Sequence, residues 1–109
     1  MATGRLGTAN ITTTANTTIY TVPASTFSVV SVSVCNRNSS TAATIRIAVA
    51  SSASPQADEW IEYDTSIVAS GVLERTGLVL AATQVLVVQI SSATPTISVV
   101  AMGIETSTA

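Results

Sequence analysis

Residues 27–36 read FSVVSVSVCN, and this stretch decides the fold class of the chain. Valine occupies positions 30, 32 and 34, and serine occupies the two positions between them. Alternation of apolar and polar residues is typical of a β-strand with one buried face, because successive side chains point to opposite sides of the strand. The stretch therefore predicts a strand whose valines face a hydrophobic core.

Stretches of the same kind flank this strand along the rest of the chain. Residues 43–50 also alternate, and residues 85–90 form a near-continuous apolar run, as expected of a strand buried on both faces. Further strands are predicted at residues 17–22, 60–65, 67–69, 72–80 and 96–105. Seven or eight strands separated by short turns predict an all-β fold, a single antiparallel β-sandwich. Its topology is left as jelly-roll or immunoglobulin-like, because both give the same alternation.

The chain of 109 residues fits one domain. Residues 1–16 are rich in threonine and contain two glycines, so they are interpreted as an extended N-terminal arm, with at most a short strand near Ile11. The sandwich is assigned to residues 17–105 and a flexible polar tail to residues 106–109. No apolar stretch approaches the roughly 18–20 residues that cross a bilayer, and residues 1–10 lack the apolar segment of a signal peptide. We therefore expect synthesis in a reducing cytoplasm and no membrane partner.

The charge content is unusually low. Only 9% of the residues are charged, whereas ordinary soluble domains have about 25%, and 47% are hydrophobic. Lysine, which commonly protects exposed sheet edges from pairing with other chains, is absent. These features indicate that much of the surface faces copies of the chain or a larger assembly; a monomer surfaced with serine and threonine is the rival interpretation. The four arginines are scattered, which argues against nucleic-acid binding.

The residues that most enzymes rely on are scarce. The chain contains no histidine, the commonest general base and metal ligand, and no lysine for Schiff-base chemistry. The single cysteine, Cys35, is interpreted as a small apolar residue at the edge of the core. The five glycines are dispersed, so no phosphate-binding loop is predicted. We expect no enzymatic activity, no cofactor and no metal.

One cluster of carboxylates stands out at Asp58, Glu59, Glu62 and Asp64. We expect Glu62 to form a cross-strand ion pair with Arg46, a contact of about 0.2–1 kcal/mol. A calcium site is the alternative, because calcium prefers oxygen ligands, and an acid–base pair is the least favoured interpretation.

The aromatic residues are few, and strand alternation divides them between two faces. Trp60 falls on the outward face of its strand, so we expect it in a subunit interface. Phe27 and Tyr63 are expected to anchor the core.

Several short motifs, taken together in order and spacing, resemble virion structural proteins of tailed bacteriophages, including those of cyanobacteria. They are YTVPA at 20–24, VCNRN at 34–38, EYD at 62–64, GVLERTG at 71–77 and GIE at 103–105. The resemblance covers about residues 17–105, and each motif is only a turn joined to strand residues. It implies a β-rich component of the particle, in the head, neck or tail, and it carries over no catalytic residue.

The leading hypothesis is a capsid decoration (cement) protein that clamps neighbouring subunits of the head shell. Its expected partners are the major capsid protein and copies of itself, as a trimer that would suit the three-fold positions of a shell. The N-terminal arm would add a strand to a partner's sheet edge. The alternative is a tail, neck or fibre component with a host-adhesion role, using Trp60 and residues 51–58. The expected interface residues are Arg5, Leu6, Ile11, Arg46, Trp60 and Glu62.

Overall fold

The computed structural model describes residues 3–91 and 95–108. Within these ranges the chain forms eight β-strands and no helix. The strands are β1 (Thr3–Ile11), β2 (Thr17–Thr21), β3 (Thr26–Asn36), β4 (Ala43–Ala50), β5 (Trp60–Ile67), β6 (Val72–Leu80), β7 (Val85–Ile90) and β8 (Ile97–Ser107). The predicted all-β fold of seven or eight strands is confirmed.

The eight strands are divided equally between two antiparallel sheets. Sheet 1 has the order β1-β8-β3-β6, and sheet 2 has the order β2-β7-β4-β5. The chain changes sheet at every connection except the β4–β5 hairpin, so each sheet is built from strands distant in sequence. This connectivity is that of a jelly roll, which the sequence pattern alone left open against the immunoglobulin-like sandwich.

The core lies between the two sheets and follows the alternation that the sequence predicts. Val30, Val32 and Val34 of β3 are all at most 1% exposed, and the β4 isoleucines face them from the opposite sheet. Residues 85–88 of β7 are buried on both faces, as predicted for a continuous apolar run. Burial of aliphatic side chains at about 25 cal/mol per Å² is the main force that holds the sheets together.

The two chain ends differ from the expected arm and tail. Residues 3–11 form β1, which pairs with β8 along its length, and Ile11 at its end is buried in the core. Gly7 permits this position, because a Cβ there would lie 2.1 Å from the carbonyl oxygen of Ile19 in sheet 2. At the other end, β8 continues to Ser107, so positions 106 and 107 belong to a strand. Positions 1, 2 and 109 lie outside the described residues.

A buried tyrosine connects the two sheets. The hydroxyl of Tyr20 in β2 lies 2.7 Å from the hydroxyl of Ser28 in β3 and donates to the carboxylate of Glu105 in β8 at 2.5 Å. Burial raises the pKa of the Tyr20 phenol, and the hydrogen bond to Glu105 raises it further. The phenol therefore stays protonated and acts as a donor at neutral pH, and its buried hydroxyl has partners in both β3 and β8.

Candidate interaction surface

The outer face of sheet 1, which points away from the core, is the most unusual surface of the domain. Six of its side chains are large, apolar and exposed, with exposed fractions from 37% to 65%. They are Phe27, Val29, Val72, Val79, Met102 and Ile104. We refer to this group as the apolar face. Contiguous exposed apolar patches of this kind are characteristic of interaction sites on soluble proteins.

The strand register places four of these side chains next to one another. Val29 of β3 is paired with Val79 of β6 on one side and with Ile104 of β8 on the other. Directly paired residues lie on the same face of a sheet about 4.5–5.5 Å apart, so these three side chains form one row across three strands. Met102 lies in the next row, opposite Ser31. The central strands of sheet 1 therefore present apolar groups on both sides.

Within the four strands, the charges on this surface are confined to its two edges; in addition Arg37, just after β3, donates to Asn10 of β1 at one end of the face. Arg5 of β1 is paired with Met102, and Glu74 of β6 is paired with Ser33, so both point to the same side as the apolar face. Both side chains belong to exposed residues. No other charged residue within β1, β3, β6 or β8 lies on this side, because Arg75 and Glu105 are paired with the inward-facing Val32 and Ser28.

The sequence itself carries a signal for this surface, in the alternation of β3 and β8. Along β3, Phe27 and Val29 occupy the alternate positions that the outward serines also occupy. Along β8, Met102 and Ile104 occupy the alternate positions opposite to that of the buried Val99. Apolar residues at both parities of two adjacent strands indicate a sheet with two apolar faces. The expectation that Phe27 anchors the core is wrong, because it lies on the outward parity and is 37% exposed.

The acidic cluster does not converge on one point. Asp64, and not Glu62, forms the ion pair with Arg46, at 2.6 Å. The predicted Arg46–Glu62 pair is wrong because β5 has an irregular register here: Ile45 is paired with Thr65, and Ile47 with Glu62. Two residues of β5 therefore stand opposite the single residue Arg46 of β4. This bulge also explains the left-handed φ of 55° at Asp64, a conformation that aspartate adopts more readily than most residues.

Glu62 has a different partner, across the open side of the sandwich. Its carboxylate accepts a hydrogen bond from Arg75 of β6 at 2.5 Å and another from the hydroxyl of Thr65 at 2.7 Å. Since β5 and β6 are edge strands of opposite sheets, this ion pair links the two sheets along one edge. The pair is partly shielded from solvent, as the side chain of Glu62 is only 17% exposed.

Glu59 organises the loop between β4 and β5. Its carboxylate accepts hydrogen bonds from the backbone amides of Gln56, at 2.7 Å, and Ser51, at 3.0 Å. These bonds, that of Gln56 foremost, hold the pKa of Glu59 below its ordinary value. Asp64, Glu62 and Glu59 thus have separate partners. Within residues 3–91 and 95–108 no group of three or more His, Cys, Asp or Glu residues could hold a metal ion, so the calcium interpretation gains no support.

Sheet 2 carries a second, smaller surface feature near this loop. Ala57, Trp60 and Tyr63 line a shallow, open depression. The rings of Trp60 and Tyr63 meet edge to face at 5.8 Å, and the guanidinium of Arg46 lies 4.0 Å from the centre of the Tyr63 ring. The expectation that Tyr63 anchors the core is wrong: the bulge turns it outward, and it is 57% exposed.

The predicted interface residues do not form one surface. Ile11 is 2% exposed and Leu6 packs against the core, so these two expectations are corrected: both side chains are used within the domain. Trp60 is on the outward face as predicted, where it covers Ala48 and Val87 of sheet 2. Arg5 is exposed on the side of sheet 1 opposite to Trp60, next to the apolar face.

The fold and this surface define a small jelly-roll module with an apolar outer sheet face. No protein family, no curated protein and no solved structure matches the chain. In the part of the chain that the structure describes, no helix is long and apolar enough to cross a bilayer. The surface of the domain is therefore the feature that bears on function, since one fold can serve many functions.

Proposed function

We propose that the chain is a non-catalytic structural protein of a bacteriophage particle, specifically a capsid decoration protein that stabilises the head shell. The observation that carries this proposal is the apolar face of sheet 1. A surface of this kind is unfavourable in water and favourable in a permanent contact. The low charge content supports the same conclusion, because only 9% of the residues are charged. The assignment to a bacteriophage particle is based on the resemblance of the sequence to virion proteins.

In this proposal the domain acts through buried area alone. Each copy would stabilise the shell by removing apolar surface from water, at about 25 cal/mol per Å², and many copies would multiply the effect. The partners are the major capsid protein and copies of the chain. The N-terminal residues do not add a strand to a partner's sheet in this proposal, because residues 3–11 already pair with β8. The flat outer surface of sheet 1 instead provides the contact between copies of the chain.

The test is the copy number of this chain in purified particles relative to the major capsid protein. A shell-wide decoration protein should be present at a ratio near one copy per capsid subunit, measured by quantitative mass spectrometry with labelled peptides. A protein of the same particles that forms a single ring, such as the portal, serves as the internal control of low copy number. A ratio of a few per cent would contradict the proposal and place the chain in the neck, tail or fibres.

A tail, neck or fibre component with a host-adhesion role is the second candidate. The depression lined by Ala57, Trp60 and Tyr63 favours it, because exposed aromatic rings are the usual stacking surfaces for sugars. Trp60 is the only tryptophan of the chain, so its fluorescence reports directly on this site.

This second candidate predicts that purified host surface polysaccharide changes the Trp60 emission in a saturable way. Tyr63→Ala should abolish the effect while leaving the fold intact, because Tyr63 is largely exposed. Val68→Ala, an exposed change outside the depression, is the matched control and should bind normally. Emission that stays constant up to saturating polysaccharide would count against the adhesion role.

A further inference from the structure

We propose that the apolar face of sheet 1 binds the same face of a second copy of this chain, across a two-fold axis that runs parallel to the strands between β8 and β3. The inference deepens the proposed function, on which it rests for its biological setting. It replaces the expected trimer with a two-fold pair as the unit of assembly. Three features of the face identify a second copy as its occupant.

The first feature is the size of the surface. Four strands spaced about 4.8 Å apart give a sheet about 19 Å wide. The central strands β3 and β8 have 11 residues each, which at about 3.3 Å per residue gives a length near 36 Å. The flat area is therefore about 700 Å², close to the roughly 800 Å² per partner that stable protein interfaces bury.

The second feature is the arrangement of charge. Arg5 lies on one edge strand, β1, and Glu74 lies on the other, β6, and no further charged residue within the four strands points to this side. The two charges are opposite in sign and lie on either side of the midline. A two-fold axis along that midline places β1 of one copy over β6 of the other. Arg5 then faces Glu74 of the second copy, and the same pair forms a second time by symmetry.

The third feature is that the two-fold rotation that pairs Arg5 with Glu74 also brings the apolar residues of the two copies together. The axis exchanges β8 and β3, so Ile104 of one copy packs against Val29 of the other, within the row that also contains Val79. Arg5 and Glu74 lie about one row apart along the strand direction, a distance that the long arginine side chain spans. Sheets that pack face to face lie about 10 Å apart, a separation that such aliphatic side chains fill.

An unrelated partner would not require this symmetry. A heterologous contact needs only a surface complementary to the partner, whereas a two-fold contact needs a surface complementary to itself. Here the apolar row of Ile104, Val29 and Val79 crosses the midline, and the opposite charges of Arg5 and Glu74 lie on either side of it.

The test uses charge reversal, and the association state is measured by sedimentation equilibrium of the full chain. The unmodified chain should sediment with twice the mass of one copy. Arg5→Glu should raise the dimer dissociation constant by about tenfold or more, because it places like charges opposite each other twice, and Glu74→Arg should do the same. A chain carrying both changes should regain the original dissociation constant.

Mixing the two single variants gives the sharpest result. One copy then carries two acidic residues at these positions and the other carries two basic residues, so only the mixed pair is complementary. The mixture should form heterodimers at concentrations at which each variant alone is monomeric. Asp58→Arg, at an exposed position in the β4–β5 loop, makes the same change of charge as Glu74→Arg; it is the matched control for that variant and should leave the dimer unchanged.

A second pair of variants tests the apolar part of the contact. Val29→Asp should abolish the dimer, and Val68→Asp, at an exposed valine outside the apolar face, should not. Circular dichroism should show that both variants are folded.

Three results would overturn the inference: a monomer at every concentration, a trimeric mass, or a dimer that is insensitive to Arg5 and Glu74. None of them depends on the copy number in the particle, so failure of the two-fold pair and failure of the decoration role are distinguishable.

Discussion

Replacing Gly103 with alanine should lower the free energy of unfolding by about 3–5 kcal/mol, among the largest effects expected of a single substitution. A Cβ at this position would lie 2.0 Å from the carbonyl oxygen of Val29 and 3.0 Å from the Cα of Val30. Both obstacles are backbone atoms of β3, so no side-chain rotation relieves the clash. The strand β8 must move away from β3, and that movement disrupts the central ladder of sheet 1.

Urea denaturation followed by circular dichroism measures this effect. Gly77→Ala is the matched control, because Gly77 has a left-handed φ of 70° but a Cβ there would have no neighbouring atom within 4 Å. The control should lower the free energy of unfolding by only about 1–2 kcal/mol, the cost of placing alanine in the left-handed region of φ. If the two variants were equally stable, the close approach of β8 to β3 at Gly103 would not be a real constraint of the fold.

Replacing Asn36 with aspartate should destabilise the domain by about 3 kcal/mol or more. Asn36 is 1% exposed, and its amide nitrogen donates to three backbone carbonyls, at Thr41 (3.0 Å), Ile67 (3.3 Å) and Val68 (3.3 Å). These bonds tie the end of β3 to the turn before β4 and to the end of β5. Aspartate removes every one of these donors and places a buried negative charge against the same three oxygens.

Asn38 provides a control of identical chemistry two residues away. Its side-chain oxygen accepts hydrogen bonds from the amides of Ser40 and Thr41, a role that a carboxylate performs equally well. Asn38→Asp should therefore change the stability by less than about 1 kcal/mol. Equal thermal denaturation midpoints for the two aspartate variants would show that the Asn36 amide does not hold the turns together.

The strands that the sequence predicted well are those whose environment is set by local alternation. The valines of β3 and the continuous apolar run of β7 are buried as their patterns indicate, because burial on one or both faces of a strand determines where apolar residues occur along it. The strand β1 has no such pattern. Its sequence, TGRLGTANI, contains Gly7 where the strand passes close to the backbone of sheet 2, and that requirement arises only once sheet 2 is in place.

The surface features were harder to predict, for a different reason. The orientation of Tyr63 and the partner of Arg46 both depend on the bulge at Asp64, which shifts the register of β5 by an amount that no residue pattern specifies. The apolar face could have been predicted from Phe27, Val29, Met102 and Ile104, whose parity is visible in the sequence. Its continuity depends on β8 lying beside β3, and that adjacency follows from the topology.

The adjacency of β1 and β8 has a mechanical consequence. Thr3 is paired with Ile104, so the two ends of the domain lie at the same pole, on neighbouring antiparallel strands. A force that separates these ends acts across the ladder and breaks its hydrogen bonds one pair after another, as a zipper opens. The domain would therefore yield at low force when pulled through its ends, and it would resist far better when load is spread over a sheet face.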